Sequence, residues 1–190
     1  MSGPLRILGL GGSVRAESLN RQMLEMMLGF AQEYGAEIDL ADVHTMNLPI
    51  HNPELPRDEQ PAQLLHLIER MKWADGFIIA SPTYLGSLSG AVKNTLDSLH
   101  VAHGEPRVYF DGRPVALASL GFHGQVNVIN SLAFVTRVMG ATVIPESVTI
   151  SIDEEHYNPD IIHEAAAQQQ MRHTVAQLLA WTGDLREPRV

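Results

Sequence analysis

The chain has 190 residues, 45% of them hydrophobic, which suits one globular domain with a substantial core; no internal repeat is evident. Its 13 basic and 22 acidic side chains give a formal charge of −9, and the basic residues are scattered, so nucleic acid is not an expected partner. The absence of cysteine removes disulfides, thiolate catalysis and cysteine-ligated metal, so any redox chemistry must come from a cofactor.

The opening MSGPLRILGL has neither the basic leader nor the apolar length of a signal peptide, and no apolar run approaches a membrane span. The expectation is a cytoplasmic protein without a membrane partner. Leu5 to Leu10 forms a short continuous apolar run, as does Gly76 to Ala80, which is the pattern of parallel strands covered on both faces. Between them, a helix is predicted from about Ser18 to Tyr34, ended by Gly35, followed by a strand from Glu37 to Val43. His44 to Gln60 carries Pro49, Pro53 and Pro56 and is expected to be extended. Pro61 then opens a helix whose buried stripe is Leu64, Leu65, Ile68 and Met71.

After the third strand, Ser81 to Ser89 reads as a polar loop leading to a helix with Val92, Leu96 and Leu99 on one face. A long connection with a turn at Asp111-Gly112 precedes a fourth strand, Pro114 to Leu120. Gly121 to Gly124 is a third loop, ahead of a helix carrying Val128, Leu132, Val135 and Val138. Thr142 to Ile150 reads as a fifth strand, placed at an edge by Pro145, and a last helix runs from about Ile161 to Trp181. Five strands alternating with five helices predict an α/β fold, a three-layer α/β/α sandwich on a parallel sheet. Right-handed crossovers and this length favour the flavodoxin-like order 2-1-3-4-5 over residues 1–190 as a single domain.

The segment Gly9 to Asn20, GLGGSVRAESLN, joins the first strand to the first helix. Such a junction offers backbone N–H groups and a positive helix end to an anion. Ser13, Ser18 and Asn20 add donors, and Arg15 and Arg21 are the nearby permanent cations. Read alone, the segment is either a phosphate site or a glycine turn with Ser18 capping a helix. A Rossmann dinucleotide fingerprint is excluded because Val14 stands where a third glycine is needed, and a Walker loop because no lysine precedes Lys72. In a 2-1-3-4-5 sheet, ligands bind where the strand order reverses, so the loops at 11 to 18, 81 to 87 and 119 to 124 converge. A ligand with a phosphate at one end and a flat polar-edged ring at the other suits them, and FMN has that form.

The first loop, Gly12-Ser13-Val14-Arg15 with Ser18 and Asn20, carries a resemblance together with the second. The second runs Ser81-Pro82-Thr83-Tyr84 through Ser87, Ser89-Gly90 and Lys93-Asn94 to Asp97. In order and spacing, from about Arg6 to Ile150, the chain resembles the NAD(P)H-dependent FMN reductases. The resemblance implies an FMN-dependent oxidoreductase that passes hydride from NADPH or NADH to flavin N5 and then reduces a second small-molecule acceptor in ping-pong order. It implies an FMN phosphate held by Ser13, Arg15, Ser18 and Asn20, with Leu19 among them. The ring would lie against Pro82, Thr83, Tyr84, Leu85 and Gly86, closed by Ser119 and Gly121. No side-chain acid or base is required, since the chemistry is the flavin's. The resemblance also implies a homodimer or homotetramer with the helix that begins near Ser87 at the subunit interface. Quinone- and chromate-reducing relatives tend to have Glu-Tyr-Asn after the proline, where this chain has Thr83-Tyr84-Leu85. That difference points toward reductases supplying reduced flavin to a partner such as a flavin-dependent monooxygenase.

Two functions compete with this expectation. One is a flavodoxin-like electron carrier that binds FMN without a nicotinamide site, and the other is a flavin-binding regulatory protein without turnover. Arg15 favours the reductase, because carriers typically use a Thr-rich phosphate loop. Tyr84 suits the ring pocket and a subunit interface equally. Glu154, Glu155 and His156, or His163 with Glu164, lack a metal-ligand spacing and read as a solvated loop. His123 reads as an exposed loop residue, Lys93 as a helix-surface or interface lysine, and Met23, Met26 and Met27 as core filling. A nucleophile elbow is absent, since Gly86-Ser87-Leu88-Ser89-Gly90 spaces its glycines too widely.

Overall fold

The computed structural model describes residues 3–153 and 155–186; Glu154, part of the acidic stretch considered above, lies outside them. Five parallel strands form the sheet: β1 (Arg6–Gly11), β2 (Glu37–Asp42), β3 (Gly76–Tyr84), β5 (Pro114–Gly121) and β6 (Thr142–Ser151). Their order, β2-β1-β3-β5-β6, is the expected doubly wound one. A sixth, two-residue strand, β4 (Ser87–Leu88), was not expected and pairs antiparallel with the end of β3.

Alternation along the strands fills two apolar layers. Ile7, Ile78, Ala116 and Ala118 face a core shared with α1 (Leu19–Glu33) and α6 (Ala165–Arg186). Leu8, Leu10, Phe77, Ile79 and Leu117 face the opposite layer, built on α3 (Ala62–Trp73), α4 (Gly90–Ser98) and α5 (Gln125–Val138). Met23 and Met27 are fully buried in the first layer, with Met26 on its flank.

Five local expectations are corrected. The stretch after β2 is not wholly extended. A short helix, α2 (Val43–Met46), forms because the Asp42 carboxylate accepts from the His44 backbone N–H at 3.2 Å and the prolines begin only at Pro49. The expected loop from Ser81 is instead strand as far as Tyr84, turning at Leu85-Gly86 into β4. In α3 the fully covered positions are Leu64, Leu67, Ile68 and Met71, with Leu65 only partly buried. In α5, Val128 and Leu132 are buried, but Val138 is 73% exposed because none of the described residues covers the helix's last turn on that side. The last helix is preceded by a separate 3-10 turn, Pro159–His163.

β6 lies at the sheet edge, as Pro145 predicted. Its register against β5 shifts between Val115 and Leu117, where Val143 to Ser147 is opposed by a shorter span.

Candidate functional site

The carboxyl ends of β1, β3 and β5 meet at the point where the strand order reverses. There β1 bends away through Gly11 and Gly12, both at positive φ. A Cβ on Gly11 would lie 1.9 Å from the Ala80 carbonyl oxygen, so only glycine allows the first loop to pass this close to β3. The Gly12 N–H donates to that same oxygen at 3.1 Å. Beyond the turn, Ser18 caps α1, its side chain accepting from the Arg21 N–H at 3.3 Å. The first backbone N–H groups and positive end of a 15-residue helix therefore open onto the loop.

Arg21 is engaged elsewhere, with Glu25 at 2.9 Å and the buried Asp42 at 3.8 Å. Arg15 is exposed and makes no ion pair among the described residues, so it is the cation available at this helix end. The loop itself is held in two places. Ser13 Oγ lies 3.0 Å from Tyr84 Oη and accepts from the Arg15 backbone N–H at 3.3 Å, while His44 Nδ1 lies 2.8 Å from the Val14 carbonyl oxygen.

These elements border a cleft of about 560 Å³, within the roughly 300 to 1,000 Å³ typical of small-molecule sites. The cleft brings together Ser13, Arg15, Ser18, Leu19, Asn20, Pro82, Thr83, Tyr84 and Gly121 of the residues named from sequence. Ser119, Leu85 and Gly86 do not line it. Ser119 is fully buried in β5 with an unpartnered Oγ, and Leu85 is fully exposed at the hairpin tip with φ of 49°. Asn20 is 5% exposed, and its amide brackets β5: Nδ2 donates to the Leu120 carbonyl at 2.7 Å and Oδ1 accepts from the Leu120 N–H at 3.1 Å.

Two features equip the cleft for a polar ligand. Thr83 Oγ1 is buried and has no hydrogen-bond partner among the described residues, a position that normally calls for one. Gly121 packs on it closely enough that a Cβ would come within 3.0 Å of Thr83 Oγ1. Around the mouth stand Tyr84, Phe122 and Tyr157, exposed by 44%, 44% and 57%, an aromatic rim suited to a flat ring. Phe122 and Tyr157 were not singled out from sequence; the available signal was an aromatic residue in each of two otherwise polar loops. His123, next to Phe122 in sequence, does not line the cleft. Among the described residues no group of three or more His, Asp or Glu could hold a metal ion, and no helix is long and apolar enough to cross a membrane.

Comparison with known proteins gives this geometry a context. A family model described as NADPH-dependent FMN reductase matches residues 5–155. An NAD(P)H-dependent FMN reductase of Pseudomonas aeruginosa is 32% identical over 126 residues, 65% of each chain. An NADPH azoreductase of a Bacillus species is 32% identical over 117 residues, 60% of this chain and 61% of the azoreductase. The chain thus spans less than two thirds of the length of the curated relatives it matches. Among solved structures, FerB of Paracoccus denitrificans, a flavoenzyme NAD(P)H:(acceptor) oxidoreductase, superposes with a TM-score of 0.77 at 22% identity, over 95% of this chain and 98% of FerB. RosB superposes with a TM-score of 0.79 at 16% identity, over 97% and 81%. At these identities the superpositions speak for the flavodoxin-like fold.

Proposed function

Because the chain belongs to the NADPH-dependent FMN reductase family, we propose that it is an FMN-dependent NAD(P)H oxidoreductase, built as a single flavin-binding domain and working in the cytoplasm. The observation that carries this reading is the cleft at the strand-order reversal. It pairs an uncommitted arginine and a helix N-terminus at one end with a buried, unpartnered threonine hydroxyl under an aromatic rim at the other.

The residues fit FMN. Ser13, Arg15 and the N–H groups of Ser18, Leu19 and Asn20 would hold its phosphate, with the Asn20 side chain fixing that end of the helix against β5. Pro82, Thr83 and Tyr84 would support the ring, Leu85 and Gly86 would shape the hairpin that borders it, and Ser119 and Gly121 would close the far side. The chemistry FMN would supply is two-electron transfer from NADPH or NADH to a second acceptor, in ping-pong order. The chain's own part would be electrostatic: backbone N–H groups of the second and third loops, with the Thr83 hydroxyl, would stabilise the negative charge that FMN gains on reduction. The open aromatic mouth leaves room for a nicotinamide and then for a small acceptor such as free flavin, a quinone or an azo compound, or for handing reduced flavin to a monooxygenase.

We further propose a homodimer or homotetramer assembled through α4 and α5. Ile50, Phe134 and Val138, exposed by 89%, 71% and 73%, surround a concavity of about 540 Å³ on that side, and large exposed apolar patches mark association surfaces. Sedimentation at two concentrations tests the assembly.

Anaerobic mixing of the FMN-loaded protein with NADPH and with NADH tests the activity. Bleaching of the flavin absorbance is expected with at least one. Bleaching with neither rejects the reductase and leaves the electron carrier. Parallel double-reciprocal lines over a set of acceptors are expected for ping-pong turnover.

A further inference from the structure

A second cavity, of about 490 Å³, adjoins the cleft and shares Arg15, Glu17, Ser18, Leu19 and Tyr157 with it. It too borders the α1 N-terminus, and its lining adds Gln22 of α1 with Asp160 and His163 of the 3-10 turn before α6. A ligand whose phosphate sits at that helix end therefore has a second chamber open beyond the phosphate, of a size with the first.

The lining says what the chamber takes. Among the described residues Arg15 is its only permanent cation, whereas Glu17 and Asp160 contribute two carboxylates. Among the described residues neither carboxylate accepts a hydrogen bond, and the side chains of Arg15, Gln22, Tyr157 and His163 likewise make none. A terminal phosphate there would face two negative groups with no second fixed cation, an arrangement Coulomb repulsion disfavours. A neutral group rich in hydroxyl and amino donors fits instead, since ionised carboxylates accept but never donate. Tyr157, 57% exposed between the two cavities, offers an aromatic face on which a base can stack.

We propose that this chamber binds the adenosine half of FAD, so that the protein takes FAD as well as FMN; the proposal rests on the reading of the first cleft as a flavin site. Arg15 and the N–H groups at the α1 N-terminus, on the wall of both cavities, meet the pyrophosphate between the halves and offset Glu17, which borders both as well. Glu17 and Asp160 accept from the ribose hydroxyls and the adenine amine.

Calorimetric titration of the flavin-free protein with FAD and FMN, in the parent and in Asp160→Asn and Gln22→Trp, tests this. Gln22 is exposed on α1, so a larger side chain there narrows the chamber without entering the core. FAD is expected to bind at least as tightly as FMN to the parent. Each variant should weaken FAD about tenfold and leave FMN unchanged. Tenfold weaker binding of FAD than FMN in the parent, or equal effects of the variants on both flavins, overturns the proposal. Failure of both flavins to bind removes the flavin reading itself as well. Adenosine pyrophosphate also occurs in NADH: a raised KM for NADH in FMN-loaded Asp160→Asn, with FAD affinity unchanged, would assign the chamber to the nicotinamide dinucleotide and reject it as a flavin site.

Discussion

Ser13 Oγ and Tyr84 Oη meet at 3.0 Å across the sheet's reversal point, tying the loop after β1 to the hairpin after β3. The contact joins two segments 71 residues apart and is part-buried. A double-mutant cycle of Ser13→Ala and Tyr84→Phe should give a coupling of about 0.5 to 1.5 kcal/mol in urea unfolding. Strict additivity of the two single losses would show that the loops are held independently.

Arg15→Ala should weaken FMN by about 1.5 to 3 kcal/mol, the range for a charge-assisted bond to phosphate, with little change in stability because the side chain is exposed. Isothermal titration measures the first and thermal melting the second. Equal FMN affinity in variant and parent would move the phosphate away from this residue.

Asn20→Ala is expected to act on stability first. It removes both hydrogen bonds to Leu120 and leaves that residue's N–H and carbonyl without the partner they have in a buried setting. A loss of roughly 2 to 4 kcal/mol follows if each orphaned group costs about 1 to 2 kcal/mol, readable from the urea midpoint. Asn20→Asp should be nearly as damaging, since a carboxylate cannot donate to the Leu120 carbonyl.

Arg113, at the far end of the sheet, should be among the most sensitive positions for stability. Its buried guanidinium donates to the carbonyls of Phe110, Met71, Ala74, Arg107 and Tyr109 and lies 4.8 Å above the Phe77 ring. Burial, with the neighbouring Arg107 charge, lowers it to about 10, which still leaves it charged at neutral pH. Arg113→Met should cost about 3 to 5 kcal/mol through the lost charge-assisted bonds and the Arg107 and Tyr109 carbonyls they satisfy, with flavin affinity unchanged at temperatures where the variant is folded. Arg113→Lys should recover only part, because three donors cannot meet five acceptors.

The loop between β1 and α1 and the layer order were legible because both rest on local signals: unalternated apolar runs, and glycine and serine at strand-to-helix junctions. The β3–β4 hairpin was hidden because Leu85, a residue type that seldom takes positive φ, occupies its turn. The bracket between Asn20 and Leu120 spans 100 positions, and no spacing rule reaches that far. Val138 fits the helical stripe of α5 in sequence, yet periodicity cannot say whether a stripe outlasts the neighbours that cover it.

The irregular edge of the sheet has a consequence for how copies of this chain can meet. Pro145 has no N–H to offer, and the shift between Val143 and Ser147 interrupts the ladder along β6. A strand from another molecule finds no continuous row of donors and acceptors there. Growth by strand addition is blocked at that border, so a molecule meeting this chain there would have to be held by side chains rather than by main-chain pairing.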